Sequence, residues 1–184
     1  MADLIALWRA EHANFTRLLD VLDEQVAEFH EGEGPVFGLM LDIVSYLREF
    51  ADGVHHPRED VAFARLVIRD PTLRLPINRL LQEHRAIAVA GDEFVTLLNE
   101  VVVGNVAMRT AVEAAAALYS NYFRHHLAKE ESDILPRAAI LLEPDDWSQV
   151  GNAVPSVIDP LFGDTPDGSY RELRDFLADR RLVA

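Results

Sequence analysis

The chain has 184 residues, 49% of them hydrophobic, with 9 Gly and 9 Pro, which suffices for one domain with a sizeable core. Its 31 acidic residues against 17 Lys and Arg leave a formal charge of −14, which repels a phosphate backbone and argues against nucleic acid as a partner. There is no Cys, so disulfides, iron–sulfur clusters, thiolate sites and cysteine nucleophiles are excluded, and any metal must sit on His and carboxylate.

The opening MADLIALWRAEH carries Asp3, Arg9 and Glu11 where a secretory signal would be basic and then apolar. The longest apolar stretches, such as Val101 to Val103 and Ala114 to Tyr119, fall short of the roughly 20 residues a membrane span needs. No membrane partner and a cytoplasmic location are expected. From Asp3 as N-cap, Trp8, His12, Phe15, Leu19, Leu22, Val26 and Phe29 recur in steps of three and four, predicting a helix that ends near Gly32. After the turn Gly32-Glu33-Gly34-Pro35, the series Met40, Ile43, Leu47, Phe50 or Ala51, Val54, Phe63 and Leu66 predicts a second helix over 36–69, with Pro57 as a kink or bulge.

Asp70-Pro71 and Leu75-Pro76 break the chain, and Ile77, Leu80, Leu81, Ile87, Phe94 or Val95, and Leu98 define a third helix to about Val103, closed by Gly104-Asn105. A fourth runs from about Val106 through Val112, Ala116, Tyr119, Phe123 and Ile134 to Pro136 and Glu143-Pro144. The expected fold is all-α: an antiparallel up-down-up-down four-helix bundle over residues 1–143, with residues 144–184 as a short capping extension packed on it. Within that extension, Asp159 to Gly163 is expected to plug a bundle end or to offer a surface to a second copy of the chain.

Four histidines sit on apolar seams, one per helix: His12, His55, His84 and His126. At about 1.5 Å per residue, His12 and His55 both lie roughly 28 Å from the turn joining their helices, and His84 and His126 lie roughly 25 and 31 Å from theirs. The four imidazoles therefore converge on one layer. Glu59 follows His55 by four residues and Glu130 follows His126 by four, so each pair projects from one helix face within reach of a shared ion. His56 with Asp60 offers the same spacing on a neighbouring face. The halves also repeat: Glu11-His12, then His55-His56 and Glu59-Asp60; Glu83-His84, then His125-His126 and Glu130-Glu131. Such a pseudo-repeat suits two ions bridged by two carboxylates, and the donor types favour iron, manganese or zinc. Glu11 and Glu83 are expected to be solvated or to support ligands from behind, and His30 to be plain surface. Tyr46, Tyr119 and Tyr122 lie on or beside the seams.

A pattern of one His, then His-x-x-x-Glu, then one His, then His-x-x-x-Glu resembles the hemerythrin-like, or HHE cation-binding, family over roughly residues 3 to 140. The words that carry it are Glu11-His12, His55-His56-Pro57-Arg58-Glu59-Asp60, Glu83-His84, and His126 through Glu130 to Ile134-Leu135-Pro136. The resemblance implies two iron ions held by His12, His55, Glu59, His84, His126 and Glu130, with Glu59 and Glu130 as bridges, His12 and His55 on one ion, and His84 and His126 on the other. Oxygen carriers of the family have a second His four residues from the third-helix ligand, where Leu80 and Ala88 stand here; that implies an open position beside His84, or an extra ligand from His56 or His125. The implied function is binding or sensing of oxygen, nitric oxide, peroxide or iron, with a di-iron redox enzyme acting on peroxide, oxygen or nitric oxide as the alternative.

Overall fold

The computed structural model describes residues 4–32, 34–103, 109–154, 157–163 and 168–183, with side chains as far as residue 180. Asp3, Glu33, the Gly104-Asn105 turn, Val106, Pro155 and Pro166 lie outside the described residues. Among those described, the structure is all-helical, with no strand and no helix long and apolar enough to cross a membrane.

Helix α1 spans Leu4–Glu31 and buries Trp8, Glu11, His12, Phe15, Leu18, Leu19, Leu22 and Gln25, one stripe at helical spacing. Gly32, at φ 82°, takes the left-handed conformation that ends it, and its N–H bonds Phe29 O. Gln25 Oε1 accepts from the Val36 N–H at 2.8 Å and ties the turn to the next element.

The second expected helix is three pieces: α2 at Phe37–Tyr46, a π-helical segment at Leu47–His55 and α3 at His56–Arg69. Pro57 is the physical reason. It stands in the first turn of α3, where its missing N–H costs nothing, and the wider turn before it relieves the clash of its ring with an upstream carbonyl. Residue 56 accordingly donates to Ala51 O, five residues back. The third expected helix starts earlier than its prolines imply: Asp70 caps a short 3₁₀ turn at Pro71–Leu73, and α4 runs Arg74–Val102 with Pro76 in its first turn.

The fourth divides like the second: α5 at Arg109–Lys129, a π turn at Glu130–Ile134 and α6 at Leu135–Leu141, with Pro136 in the first turn of α6. The long stretches touch in a cycle, α1 on α2, α2 on α4, α4 on α5 and α5 on α1. Helix α7, Pro144–Ala153, packs on α3, and α8, Arg171–Val183, packs on α2. Leu161, Tyr170, Leu173 and Leu177 join the core between α1 and α2, while Tyr46 and Tyr170 donate to Asp159 and Glu49.

Among the described residues the buried apolar side chains form two clusters. One gathers Phe15, Met40, Ile43, Phe50, Phe94, Tyr119 and Phe123; the other gathers Trp8, Phe63, Leu66, Ile77, Leu80, Ile134 and Leu135. His12 falls between Trp8 of one and Phe15 of the other. The polar layer is thus closed by hydrocarbon on both sides, which lowers the local dielectric and strengthens every charge interaction within it.

Candidate metal centre

His55 and His56 are adjacent, yet both are buried, at 0% and 3% exposure. The π segment that ends at His55 makes this fit: the wide turn reduces the angle between successive residues, so two neighbours face one chamber. Glu59, one turn on, is fully buried, and Glu130 is buried at the head of the second π turn.

His12 and His55 turn their Nε2 atoms to one spot, 2.9 Å apart, with Glu59 Oε1 at 3.5 Å from the first and 3.3 Å from the second. His56 and His84 stack with ring centroids 4.2 Å apart, and His126 stands edge-on to His84 at 4.6 Å. Glu59 Oε2 lies 3.7 Å from His84 Nε2, so its two oxygens face the two histidine groups. Glu130 does the same, with Oε2 at 3.6 Å from His12 Nε2 and Oε1 at 3.5 and 3.1 Å from the Nε2 atoms of His84 and His126. Two sets thus have donor atoms within 4.8 Å of one another: His12, His55 and Glu59; and His56, Glu59, His84 and His126.

Each imidazole is braced from behind by a carboxylate on its Nδ1. Glu11 stands 2.6 Å from His55, Glu131 2.9 Å from His12, Asp60 2.8 Å from His84, Glu83 3.2 Å from His126 and Asp52 3.2 Å from His56. This fixes each ring with Nε2 inward, the arrangement that raises the basicity of a metal-binding histidine. All of these acids but Asp52 are sequence neighbours of the inner residues, and of the two roles expected for Glu11 and Glu83, solvated or supporting, their contacts match the supporting one. Glu11 is only 6% exposed, and Arg58 Nη1 lies 3.8 Å from its second oxygen.

The electrostatics follow from this packing. Burial opposes charge on His55 and His126, but Glu59 and Glu11 for the first, and Glu130 and Glu83 for the second, outweigh it and push both to about 10. Burial also opposes charge on His84, which the Asp60 and Glu130 contacts nevertheless raise. His56 goes the other way, lowered by burial and by the cationic forms of His84, His126 and His55. Burial works against the charge of Glu59 and Glu130, yet the histidines hold both below the usual range. Burial raises Asp52 to about 6 against the pull of Arg48.

Apart from His12 and His55 Nε2, which meet each other, the inner atoms of this network have no hydrogen bonds. His56, His84 and His126 Nε2 and both oxygens of Glu59 and Glu130 are buried without such a partner. An unpaired buried polar atom costs about 1–3 kcal/mol. Seven of them would exhaust the roughly 5–15 kcal/mol that holds a domain folded. A closed hydrogen-bond network therefore does not account for the chamber, whereas cations taken by imidazole nitrogen and carboxylate oxygen satisfy all seven atoms.

Of the residues singled out from sequence, His12, His55, Glu59, His84, His126 and Glu130 come together. His56 joins them, while His125 is exposed beside Tyr122, outside the chamber. Asp60 pairs with His84 and not with His56. Of the alternatives expected beside His84, an open position or an extra ligand from His56 or His125, the geometry brings His56 to that ring, stacked on it, and leaves His125 outside. The tyrosines do not reach the donors, since Tyr46 is turned to Asp159, Tyr119 is core and Tyr122 is exposed. His30 is exposed and meets Glu113.

No curated protein and no solved structure matches the chain. A family model described as the hemerythrin HHE cation binding domain matches residues 3–138, which include all seven inner donors. The chain belongs to the hemerythrin HHE cation-binding domain family.

Proposed function

We propose that the chain holds two iron ions in this chamber and, through them, binds or senses oxygen, nitric oxide or peroxide. The carrying observation is the set of inward donor atoms left without hydrogen bonds, each imidazole backed by a carboxylate. His12 and His55 would hold one ion, His56, His84 and His126 the other, and Glu59 and Glu130, each with an oxygen toward either group, would join them. Bound iron would supply Lewis acidity and one-electron redox chemistry toward a small ligand. Manganese or zinc would be accepted by the same donor types, though five donors on one ion, three imidazoles and an oxygen from each of Glu59 and Glu130, exceed a tetrahedral shell and suit iron better than zinc. The cyclic contacts of the long helices support an up-down-up-down bundle as the scaffold.

The two groups are unequal, with two histidines against three. On the side with fewer donors, a groove of about 420 Å³ between α1 and α5 runs past His12, lined by Arg9, Ala13, Thr16, Leu127 and Glu131. Small residues at 13 and 16 leave room there, while Glu131, paired with both Arg9 and His12, holds the ring. Turnover of peroxide, oxygen or nitric oxide is the second reading, favoured by that groove. Elemental analysis of protein purified without added metal tests the proposal. Two ions per chain, mostly iron, are expected; no bound metal after reconstitution with iron overturns it. Catalytic turnover by the loaded protein decides between binding and enzyme.

A further inference from the structure

Residues 139–184 lie beyond the family match, and one of their side chains reaches back toward the chamber. Glu143-Pro144-Asp145-Asp146-Trp147 opens α7 with a capping box, in which the Asp146 carboxylate accepts from the Glu143 N–H and the Glu143 side chain accepts from the backbone N–H of residue 146. Asp146 is fully buried and also receives Arg65 Nε at 2.7 Å and Arg69 Nε at 2.9 Å from α3. The next residue, Trp147, is thereby held edge-on to Trp8, with centroids 5.8 Å apart. Trp8, fully buried, stands edge-on to His55 at 6.3 Å. Trp147 is partly exposed. The chain's 2 tryptophans thus form a path of touching rings from His55 to the surface.

We propose that Trp8 and Trp147 are an exit for oxidising equivalents, carrying them from the His55 side of the chamber to the surface when peroxide reacts there without an external reductant. This rests on the iron reading above. Indole is among the side chains most easily oxidised, and electron transfer weakens exponentially with distance, so two rings in contact succeed where one long jump would not. The competing aromatics are worse placed. Tyr119 meets His56 only through Phe123, and its buried hydroxyl has no hydrogen-bond partner to take its proton. Tyr46 has Asp159 as a partner, but Phe15 stands between its ring and His55.

The same reasoning sets the end point. Trp8 Nε1 is buried with no hydrogen-bond partner, so an oxidised Trp8 cannot shed its proton and draws an electron from Trp147. Trp147 releases its proton to water. In sum, Trp147 gives up two electrons and two protons and gains a C–O bond to a water oxygen. The peroxide O–O bond breaks and takes the two electrons and two protons to give two waters. Net, one peroxide and one tryptophan yield one hydroxytryptophan and one water.

The test is peptide mass spectrometry of the full chain, iron-loaded, after stoichiometric hydrogen peroxide. Most of the added oxygen is expected on Trp147, and little in metal-free protein given the same peroxide, which separates the path from simple exposure. Trp8→Phe is expected to abolish the Trp147 product. Should that variant not hold iron, Trp147→Phe serves instead and is expected to shift oxidation to Trp8 or the His55 peptide. Iron bound with oxidation spread over histidines and methionines, or Trp147 equally oxidised without metal, overturns the path alone. Failure to bind iron overturns the metal reading with it.

Discussion

Removing the carboxylate behind one imidazole should weaken one ion and spare the other. The contact between Glu11 Oε2 and His55 Nδ1 is short, at 2.6 Å, and both side chains are buried. The contact between Glu83 and His126 is 3.2 Å, with the Glu83 side chain 31% exposed. Loss of such a supporting group costs about 10–100-fold in metal affinity, or about 1.4–2.8 kcal/mol. A buried, short, charge-assisted bond belongs at the top of that range and a part-solvated one at the bottom. Glu11→Ala is therefore expected to weaken one ion roughly 100-fold, and Glu83→Ala the other roughly 10-fold. Glu11→Gln keeps an acceptor without its charge and should fall between. Competition against a chromophoric chelator, with the two ions resolved as separate steps, measures this. Equal weakening of both steps by Glu11→Ala, or a change within about threefold, would refute the bracing argument.

Glu59 contributes to both histidine groups, so Glu59→Ala should deplete both ions together in elemental analysis; retention of one at full occupancy would mean two independent sites. His56→Ala should weaken the His84 ion in the same chelator titration while His125→Ala changes neither step, because only His56 lies in the chamber. The pH dependence has a definite sign. In metal-free protein His55 and His126 are pushed to about 10 from an unfolded value near 6.5, so the stability they add is complete below pH 6.5 and lost as pH climbs to about 10. Thermal unfolding of chelator-treated protein should thus shift downward across that window. Iron loading near pH 8 should release at least the two protons those rings carry, visible as acidification of a weakly buffered solution; no release would contradict the raised values.

Much of this was legible in the sequence, because burial at helical spacing is a property of the residues themselves. The stripe from Trp8 to Gln25 is read off the chain as it folds, and with it the depth of His12. The π segments were not legible as such, since a turn with five-residue hydrogen bonds leaves no hydrophobic period of its own. Pro57 and Pro136 were the available marks. Each stands just after a wide turn, and only Pro57 raised the expectation of a bulge. Missing the first turn left open whether His55 or His56 faces the chamber, when the wider turn lets both do so.

The acids next to the ligands carry the remaining signal, and they do more than decorate the pseudo-repeat. Glu11 on α1 braces His55, Asp60 on α3 braces His84 on α4, Glu83 on α4 braces His126 on α5, and Glu131 after α5 braces His12 on α1. The order closes into a ring in which each long stretch supports the ligand of the next. Such a ring explains why the doublets Glu11-His12, Glu59-Asp60, Glu83-His84 and Glu130-Glu131 recur: one member faces the chamber and its neighbour reaches across to the adjoining helix. It also couples metal binding to packing, because a helix that shifts moves both its own donor and the brace of its neighbour. Removal of both ions should then loosen the helix contacts that the ring ties together, so that the metal-free protein unfolds at a lower temperature than the loaded one.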